Sequence, residues 1–406
     1  MSFKALLIAL YAVATLFPRL LHLPGLMARV QITELLFFPL LWMFRHDMVV
    51  VARPRPLFVL GAALYVTANL LSALWSGTEG AMAEAGARVY LAAITVISVA
   101  HLHLHGKDGL LSWWKWGSVG VALFSLIVYA WVLMGGDDSL NYVARIPDYP
   151  YFGTVLRLHG PANVFGMFYM LLLPGLFLAY ADWRATTGEW WPVAVILLAC
   201  LATFGKENLL FPIGVMLYEA DRHMRYRWLF RGFSIALFAV LMLGTHYIIH
   251  PVDSPLQEPG YTSGRTALAI ADYEFEETNY TANKRAAWLI GLNNLLLGVG
   301  PGQFSSHTEA LVETGDYPAH FGRFDPHSAW TGAFAETGLL GLLGLIALVA
   351  SLIYYRPEQW TVSAVLLLLF LVASVFKDVM NFRGLWVLVG LYLAGTTARK
   401  ETGVQV

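Results

Sequence analysis

The sequence predicts an all-α, polytopic membrane protein. Of its 406 residues, 58% are hydrophobic and only 13% are charged, and the mean hydropathy is +0.60. An ordinary soluble domain is roughly a quarter charged, so this composition excludes a soluble enzyme and a disordered chain. The formal net charge is −1, which excludes a nucleic-acid-binding protein that relies on a basic excess. The single cysteine, Cys200, lies in an apolar run and can form no disulfide within the chain.

Apolar runs of bilayer-spanning length recur along the chain. A transmembrane helix needs about 20 mainly apolar residues, at 1.5 Å per residue across roughly 30 Å of hydrocarbon. About twelve runs meet or approach this length, and the shorter ones fit helices that tilt or form hairpins. They cover residues 3–17, 30–44, 56–75, 83–100, 114–135, 161–181, 190–204, 207–218, 232–249, 331–354, 362–376 and 384–396.

Lysine and arginine residues in the short loops predict the orientation of these helices. Such residues are enriched in cytoplasmic loops, and the strongest group here is Arg222, Arg225, Arg227 and Arg231. Placing this group and the N-terminus inside also places the basic residues 399–400 inside, because the number of spans is even. We therefore expect both termini to be cytoplasmic.

One connection, residues 250–330, is much longer and more polar than the others. A structureless loop much beyond about 15 residues is usually functional, and in this orientation the loop lies on the outer side of the membrane. The chain is thereby divided into an N-terminal transmembrane bundle of about nine spans (1–249), this large outer loop (250–330) and C-terminal transmembrane helices (331–406).

Charged residues beside the spans predict a functional site at the outer face. Such charges are costly in a membrane and usually functional. Arginine forks and lysine point charges suit a lipid diphosphate. Two structural roles are the alternatives to a binding site. Lys206 can pair with Glu207 at the end of a span, and Arg157 or Arg88 can anchor the protein to phospholipid headgroups. The set comprises Arg88, Arg157, Lys206, Glu207, Arg265, Lys284, Arg285, Arg323, His327, Glu336, Lys377, Asp378 and Arg383.

His327 is the candidate for proton transfer. It follows Asp325 and Pro326, where the long loop re-enters a helix. Histidine titrates near physiological pH, so an imidazole there can accept a proton from an attacking hydroxyl. A capping or hydrogen-bonding role is the alternative. The sequence has no close His, Cys and Asp cluster with metal-ligand spacing, so we predict no metal and no cofactor.

Several segments resemble the O-antigen ligase and polymerase superfamily. Residues 295–304 read Leu-Leu-Leu-Gly-Val-Gly-Pro-Gly-Gln-Phe, which is similar to the family's PLLGVGxGxF segment. Arg285 and Trp288 match its upstream R-x-x-W element, and residues 326–328 (Pro-His-Ser) resemble its loop histidine. Residues 334–341, which include Glu336, are similar to its LAExGLLG helix.

The resemblance is weaker in the N-terminal half of the chain. Arg157, Gly160 and Asn163 resemble the family's R-x-x-G…PN element. Where relatives show Ser-Arg-Gly, this chain has Gly-Lys-Glu at residues 205–207. Lys206 keeps the cation of that motif but lacks the guanidinium fork.

The resemblance implies a metal-independent membrane glycosyltransferase of the GT-C type in the bacterial inner membrane. Its donor is a glycan on a polyprenyl diphosphate such as undecaprenyl diphosphate, and its active site is periplasmic. It implies that His327 activates the acceptor hydroxyl and that Arg285 acts beside it. The residues implied to hold the donor diphosphate are Arg285, Arg157 and Lys206, with Arg265 and Arg88 as further candidates. The supporting residues are Glu336, Asn163, Gly300 and Gly302.

The leading hypothesis is an O-antigen ligase, whose acceptor is a lipid A-core sugar. An O-antigen or exopolysaccharide polymerase, which uses a second lipid-linked repeat as acceptor, is the alternative within the family. A protein O-oligosaccharyltransferase is a third. From other classes, a membrane transporter and a passive scaffold are alternatives. The unusual charges gather at one face and no internal repeat is found, which disfavours a transporter built around a mid-membrane site.

Overall fold

The chain folds into a bundle of α-helices with two small antiparallel sheets. The computed structural model describes residues 2–18, 31–149, 153–162, 164–186, 188–220, 222–252, 262–321, 324–357 and 360–397. Within these ranges there are fourteen α-helices. They are α1 (Phe3–Ala14), α2 (Ile32–Ala52), α3 (Pro56–Ser76), α4 (Glu79–His105), α5 (Asp108–Leu133), α6 (Phe165–Thr186), α7 (Trp191–Leu201), α8 (Leu210–Ala220), α9 (Arg227–His246), α10 (Asn279–Asn293), α11 (Phe304–Glu313), α12 (Ala329–Tyr354), α13 (Val362–Ala373) and α14 (Arg383–Thr397).

The predicted helical membrane fold is confirmed in its coarse form. The structure is 73% helical, and seven of the described helices are long and apolar enough to cross a membrane. These are α2, α3, α4, α5, most of α6, α9 and α12. Shorter apolar helices, α1, α7, α13 and α14, accompany them. The predicted number of about twelve spans and the placement of the long loop outside the membrane stay predictions.

Five strands accompany the helices in the described ranges, and the sequence analysis predicted none of them. Strands β1 (Val143–Tyr149) and β2 (Gly153–Leu158) form a hairpin between α5 and α6. Strands β3 (Tyr247–Pro251), β4 (Thr262–Ile270) and β5 (Tyr273–Thr278) form a second sheet in the order β3-β5-β4. The predicted 250–330 loop therefore contains most of this sheet together with α10 and α11.

Ion pairs sort the helix ends into two sets, one at each end of the bundle. One end of the bundle carries the two sheets and also the helices α10 and α11. It is called the site end below. Pairs at the opposite end are Lys4–Asp47 (3.1 Å), Lys115–Asp182 (2.5 Å) and Arg184–Glu219 (3.1 Å). Pairs at the site end are Arg383–Glu34 (2.8 Å), Lys377–Glu207 (2.9 Å) and Arg88–Asp378 (3.8 Å).

A break in α12 is filled by the glycine-rich segment 295–302. Gly338 leaves the helical conformation, with φ 64° and ψ −161°. Across the break, the backbone N–H of Gly300 donates to the carbonyl of Glu336 (2.8 Å), and Leu339 N–H donates to the carbonyl of Leu295 (2.8 Å). Because a buried backbone group without a partner is costly, these bonds stabilise the kink. Gly298 has φ +66°, and a side chain there would meet the backbone of Glu336.

We expect the variant Gly298→Ala to lower the free energy of unfolding by about 3 kcal/mol, because it combines a strained positive φ with a backbone clash. The measurement is the thermal unfolding midpoint in detergent. Gly120→Ala is the matched control, since a Cβ on Gly120, inside α5, would meet open space. That control should leave the midpoint unchanged or raise it slightly. Equal midpoints for Gly298→Ala and the wild type would contradict this role for the glycine.

Candidate active site

Cations from three separate parts of the chain meet at the site end. Arg157 lies on β2, Lys206 opens a 3₁₀ helix (Lys206–Leu209) between α7 and α8, and Lys377 lies in the turn after α13. The electrostatic influence of Arg157 and Lys377 reaches the ammonium group of Lys206. These three residues are called the cationic cluster below.

Arg157 is held by the turn that precedes Lys206. Its Nε donates to the carbonyl of Thr203 (2.8 Å), and its Nη2 donates to the carbonyl of Phe204 (3.4 Å). Phe204 has φ +47°, a left-handed conformation that is uncommon for a bulky residue. The backbone N–H of Leu158 also donates to the carbonyl of Ala202 (2.9 Å). The β1–β2 hairpin is thereby fixed against the loop that carries Lys206.

Lys377 and Glu207 form a buried ion pair of 2.9 Å, with side chains only 15% and 7% exposed. Burial alone would raise the pKa of Glu207. The charge and the hydrogen bond of Lys377 lower this pKa by more, so it lies below its usual value. A side chain on Gly166 would collide with both groups. The sequence analysis considered a Lys206–Glu207 pair. In the structure Glu207 pairs with Lys377, and this leaves Lys206 without that partner.

Lys206 is a partly exposed cation with no ion-pair partner among the described residues. Its Nζ lies 3.5 Å from the carbonyl oxygen of Thr245 and 5.3 Å from the centroid of the Tyr280 ring. The surrounding protein displaces water from the ammonium group, and this lowers the pKa of Lys206 to about 8; Arg157 and Lys377 lower it too, whereas Glu207 opposes the shift. An anion bound beside Lys206 would favour the charged form of its ammonium group and raise its pKa again.

His327 lies immediately before α12 and is oriented by Asp325. The carboxylate of Asp325 accepts the backbone N–H of His327 (2.9 Å) and contacts its Nδ1. The surroundings of Asp325 raise its pKa, but the charge and hydrogen bonds of His327 lower it to about 2. With Nδ1–H donating to a carboxylate, Nε2 is left as the proton acceptor. Nε2 has no hydrogen-bond partner in the part of the chain that the structure describes.

The conformation of His327 is fixed by the turn that carries Lys377. His327 has φ +48°, and such strained residues persist only where the surrounding structure holds them. The first N–H of α12, on Ala329, donates to the carbonyls of Ser374 (2.9 Å) and Lys377 (3.1 Å). The indole of Trp330 donates to the Ser374 hydroxyl (2.7 Å). The imidazole and Lys377 are therefore positioned by one shared turn.

Tyr280 connects His327 with Lys206. Its ring centroid lies 4.6 Å from the His327 ring and 5.3 Å from Lys206 Nζ. Tyr280 is in the first turn of α10, one turn before Lys284. A group that contacts this tyrosine can therefore reach both the imidazole and the ammonium group.

Lys284 adds a fourth cation beside Lys206. Its Nζ contacts Nε2 of His246, whose Nδ1 lies 2.7 Å from the carbonyl of Met242. His246 is therefore neutral, with Nδ1–H donating and Nε2 accepting. Burial lowers the pKa of Lys284 to about 8.

Charges at this site are unbalanced. The cations are Arg157, Lys206, Lys377 and Lys284, and the carboxylates are Glu207 and Asp325. Within the part of the chain that the structure describes, these four cations exceed the two carboxylates by two charges when both lysines of lowered pKa are protonated, the imidazole of His327 not being counted. A diphosphate would neutralise this excess positive charge, and its oxygens would accept hydrogen bonds from the cations.

Arg285, although predicted to act beside His327, faces another partner. Its Nη1 pairs with Glu277 Oε2 on β5 (2.8 Å), and its Nε and Nη2 are buried without a hydrogen-bond partner among the described residues. It follows Tyr280 by five residues, which is about 140° around the helix. The structure therefore shows no contact between Arg285 and the groups on the Tyr280 side of α10, and its catalytic role stays a prediction.

The other predicted binding residues divide into two kinds. Arg265 reaches toward the loop after α11, where its Nη2 donates to the carbonyl of Gly315 (3.3 Å). Arg88 is buried in α4 and donates to Asn381 Oδ1 (2.5 Å), next to Asp378. Arg88 thus secures the turn that follows Lys377 and does not itself join the cationic cluster.

The predicted supporting residues lie around the α12 break. The carboxylate of Glu336 accepts the backbone N–H of Phe304 (3.4 Å). Side chains on Gly300 and Gly302 would collide with Ser76 and Glu84. The two glycines therefore allow close packing at the kink in α12. Asn163 lies outside the described residues.

The sequence analysis did not select Lys377, Asp325 or Tyr280 as site residues. Lys377 was counted only among the outer charges, although a Lys-Asp pair directly after an apolar run is a signal of buried charge. Asp325, two residues before His327, was a local signal for an orienting carboxylate. No sequence signal links Tyr280 with either partner.

No protein-family model matches this chain, and neither does any curated protein. Within the described ranges, no group of three or more His, Cys, Asp and Glu side chains is arranged to hold a metal ion.

Proposed function

We propose that this protein is an inner-membrane glycosyltransferase that moves a glycan from a polyprenyl diphosphate to an acceptor hydroxyl on the periplasmic side. The observation that carries the proposal is the contact of one tyrosine, Tyr280, with both an oriented imidazole and Lys206, a cation that has no ion-pair partner among the described residues. The excess positive charge supplies the diphosphate site, and His327 supplies the base. The cationic cluster, Lys284 and His327 lie at one end of the bundle and not midway along it, which favours an enzyme over a transporter with a midplane site.

The proposed reaction uses only side chains of this chain. Nε2 of His327 takes the proton of the acceptor hydroxyl as its oxygen bonds to the anomeric carbon of the donor sugar. The bond from that carbon to the diphosphate oxygen breaks, and both electrons leave with the lipid diphosphate. Lys206 and Arg157 stabilise the charge that develops on this leaving group. Asp325 stabilises the imidazolium that forms.

We propose lipid A-core sugar as the acceptor and an undecaprenyl-diphosphate-linked O-antigen as the donor, which makes the protein an O-antigen ligase. This assignment follows the motif resemblance at residues 295–304 and 326–341. Reconstitution of the purified protein with the lipid-linked glycan and lipid A-core tests it. One added glycan per lipid A-core indicates a ligase, a ladder of products on the polyprenyl carrier indicates a polymerase, and movement of glycan across the bilayer without a new bond indicates a transporter.

Donor affinity is expected to fall as pH rises through about 8. An anion binds best to protonated lysine, and the pKa of Lys206 and that of Lys284 are both lowered to about 8. Above this pH the affinity should fall by up to about tenfold per pH unit for each proton taken up on binding. The measurement is a titration with undecaprenyl diphosphate between pH 7 and 10.

Arginine variants provide the control for this pH dependence, because a guanidinium stays charged throughout this range. Lys206→Arg should reduce the slope, and Lys206→Arg/Lys284→Arg should flatten it. The pKa of Lys377 is raised and that of Glu207 is lowered by their ion pair, so both keep their charges between pH 7 and 10 and do not mask the effect. A profile unchanged in the double variant would contradict the role of these lysines.

A further inference from the structure

One face of the β3-β5-β4 sheet is apolar and exposed. Ile249 on β3 and Leu268 on β4 both lie opposite Phe275 on the central strand, and Ile270 lies opposite Tyr273. Residues directly opposite each other in antiparallel strands project to the same face. Ile249, Leu268, Ile270 and Tyr273 are 45–54% exposed, so about half of the surface of each of these residues is open. These four residues are called the apolar face below.

The opposite face of the same sheet, called the polar face below, carries Glu274 and Glu276 of β5 and His250 of β3, together with Ile248. Glu274 and Glu276 alternate with the apolar residues of β5. Glu276 Oε2 lies 3.4 Å from Nε2 of the buried His250 on β3. The sheet is therefore amphipathic, with Glu274 and Glu276 turned away from the apolar face. Glu277 shares the face of Tyr273 and Phe275, but it lies at the end next to α10, where it pairs with Arg285.

The sheet begins where a membrane helix ends. Strand β3 starts at Tyr247, directly after α9, whose 20 residues are apolar enough to cross a membrane. Such a helix spans about 30 Å, the thickness of the hydrocarbon layer. Val240 and Leu243 are exposed on α9, and Ile249, three residues beyond the end of this helix, is exposed as well. An apolar surface that continues from a lipid-facing helix marks a membrane contact.

The far end of α10 is also attached to a lipid-facing helix. The carbonyl of Leu295 accepts the N–H of Leu339 on α12 (2.8 Å). Leu295 and Leu296 are exposed, as is Leu343 farther along α12. The segment 247–296 therefore presents apolar side chains next to two apolar helices, one at each of its ends.

We infer that the apolar face of this sheet lies in the boundary between phospholipid headgroups and acyl chains. Amphipathic elements seat their apolar side at this depth. The occupant is the bilayer itself, since the exposed surface is continuous with the helices that lipid surrounds. Strand β5 leads directly into α10, so this seating holds Tyr280 and Lys284 at the level of the headgroups. A membrane-borne amphiphile then reaches the cationic cluster from the side. The inference depends on membrane embedding and not on the transfer reaction.

Spin labels on adjacent residues of one strand test this inference. In a Cys200→Ser background, nitroxide labels are placed through Leu268→Cys, Ala269→Cys and Ile270→Cys, with the protein in phosphatidylethanolamine–phosphatidylglycerol vesicles. Ala269 is the matched control, because it lies opposite Glu274 and belongs to the polar face. The measurement is the ratio of collision rates with oxygen, which enters lipid, and with a water-soluble nickel chelate. Val240→Cys and Glu313→Cys supply the lipid and water references.

The inference predicts an alternating result. The ratio at 268 and 270 should match that of Val240→Cys, and the ratio at 269 should match that of Glu313→Cys. Equal ratios at all three positions would overturn the inference, and so would low collision rates with both reagents at 268 and 270, which would indicate a protein cover. Ile249→Cys on β3 repeats the measurement if labels on β4 disturb the sheet.

Discussion

Replacing His327 with alanine is expected to lower the rate of glycan transfer by about 10²–10⁴-fold, the usual contribution of a general base. The side chain is only 18% exposed and lies outside the apolar core, so the variant should still insert and fold. Asp325 would lose its partner at an exposed position, where the cost is small. The measurement is the single-turnover rate with lipid-linked donor and lipid A-core in vesicles.

Two further variants separate catalysis from structure. Donor affinity should be unchanged in His327→Ala, because the cationic cluster is intact. His307→Ala, which removes an exposed histidine on α11 that contacts the carbonyl of Gln303 (2.9 Å), should transfer glycan at the wild-type rate. Transfer by His327→Ala at the wild-type rate would show that another group takes the proton.

The variant Lys377→Met is expected to destabilise the protein by about 3–5 kcal/mol. The substitution leaves the Glu207 carboxylate buried without its partner, and breaking a buried ion pair in this way costs that much. The 3₁₀ helix that carries Lys206 would also lose its ion pair with the turn that follows α13. The measurement is the thermal unfolding midpoint of the protein in detergent, together with the yield of monodisperse protein.

A double variant at the same ion pair and a variant of a partly exposed ion pair are the controls for this result. Lys377→Met/Glu207→Gln removes both charges and should recover most of the lost stability, because no buried charge is then unpaired. Lys4→Met breaks a pair at the opposite end whose side chains are about one third exposed, and it should cost less than about 1 kcal/mol. A midpoint in Lys377→Met equal to that in Lys4→Met would contradict the structural importance of the pair.

The helices could be predicted from the sequence because each apolar run is a local property. Predicted runs 56–75 and 331–354 agree closely with α3 and α12. The strands were not predicted because the prediction rested on long apolar runs, which strands of five to nine residues do not form. Tyr273-Glu274-Phe275-Glu276 alternates with period two, which is a strand signal.

Partners distant in sequence could not be predicted. Glu207 is next to Lys206 in the chain, yet it pairs with Lys377, because the 3₁₀ turn directs the two neighbouring side chains differently. Arg285 is on the same helix as Tyr280 but on another side. The glycine segment 295–302 was identified by its resemblance to a family motif, whereas its packing into the α12 break depends on Gly338, more than thirty residues away. Such relations are set by tertiary packing, and no local pattern encodes them.

The most direct measurement is a cryo-electron microscopy structure of the protein in a lipid nanodisc with undecaprenyl diphosphate bound. The account predicts phosphate oxygens within about 3 Å of Lys206 Nζ and of the Arg157 guanidinium, with His327 nearer to the terminal phosphate, which carries the sugar in the donor, than to the lipid-bearing phosphate. A diphosphate bound at the opposite end of the bundle, or one held by Arg265 away from Tyr280, would contradict it.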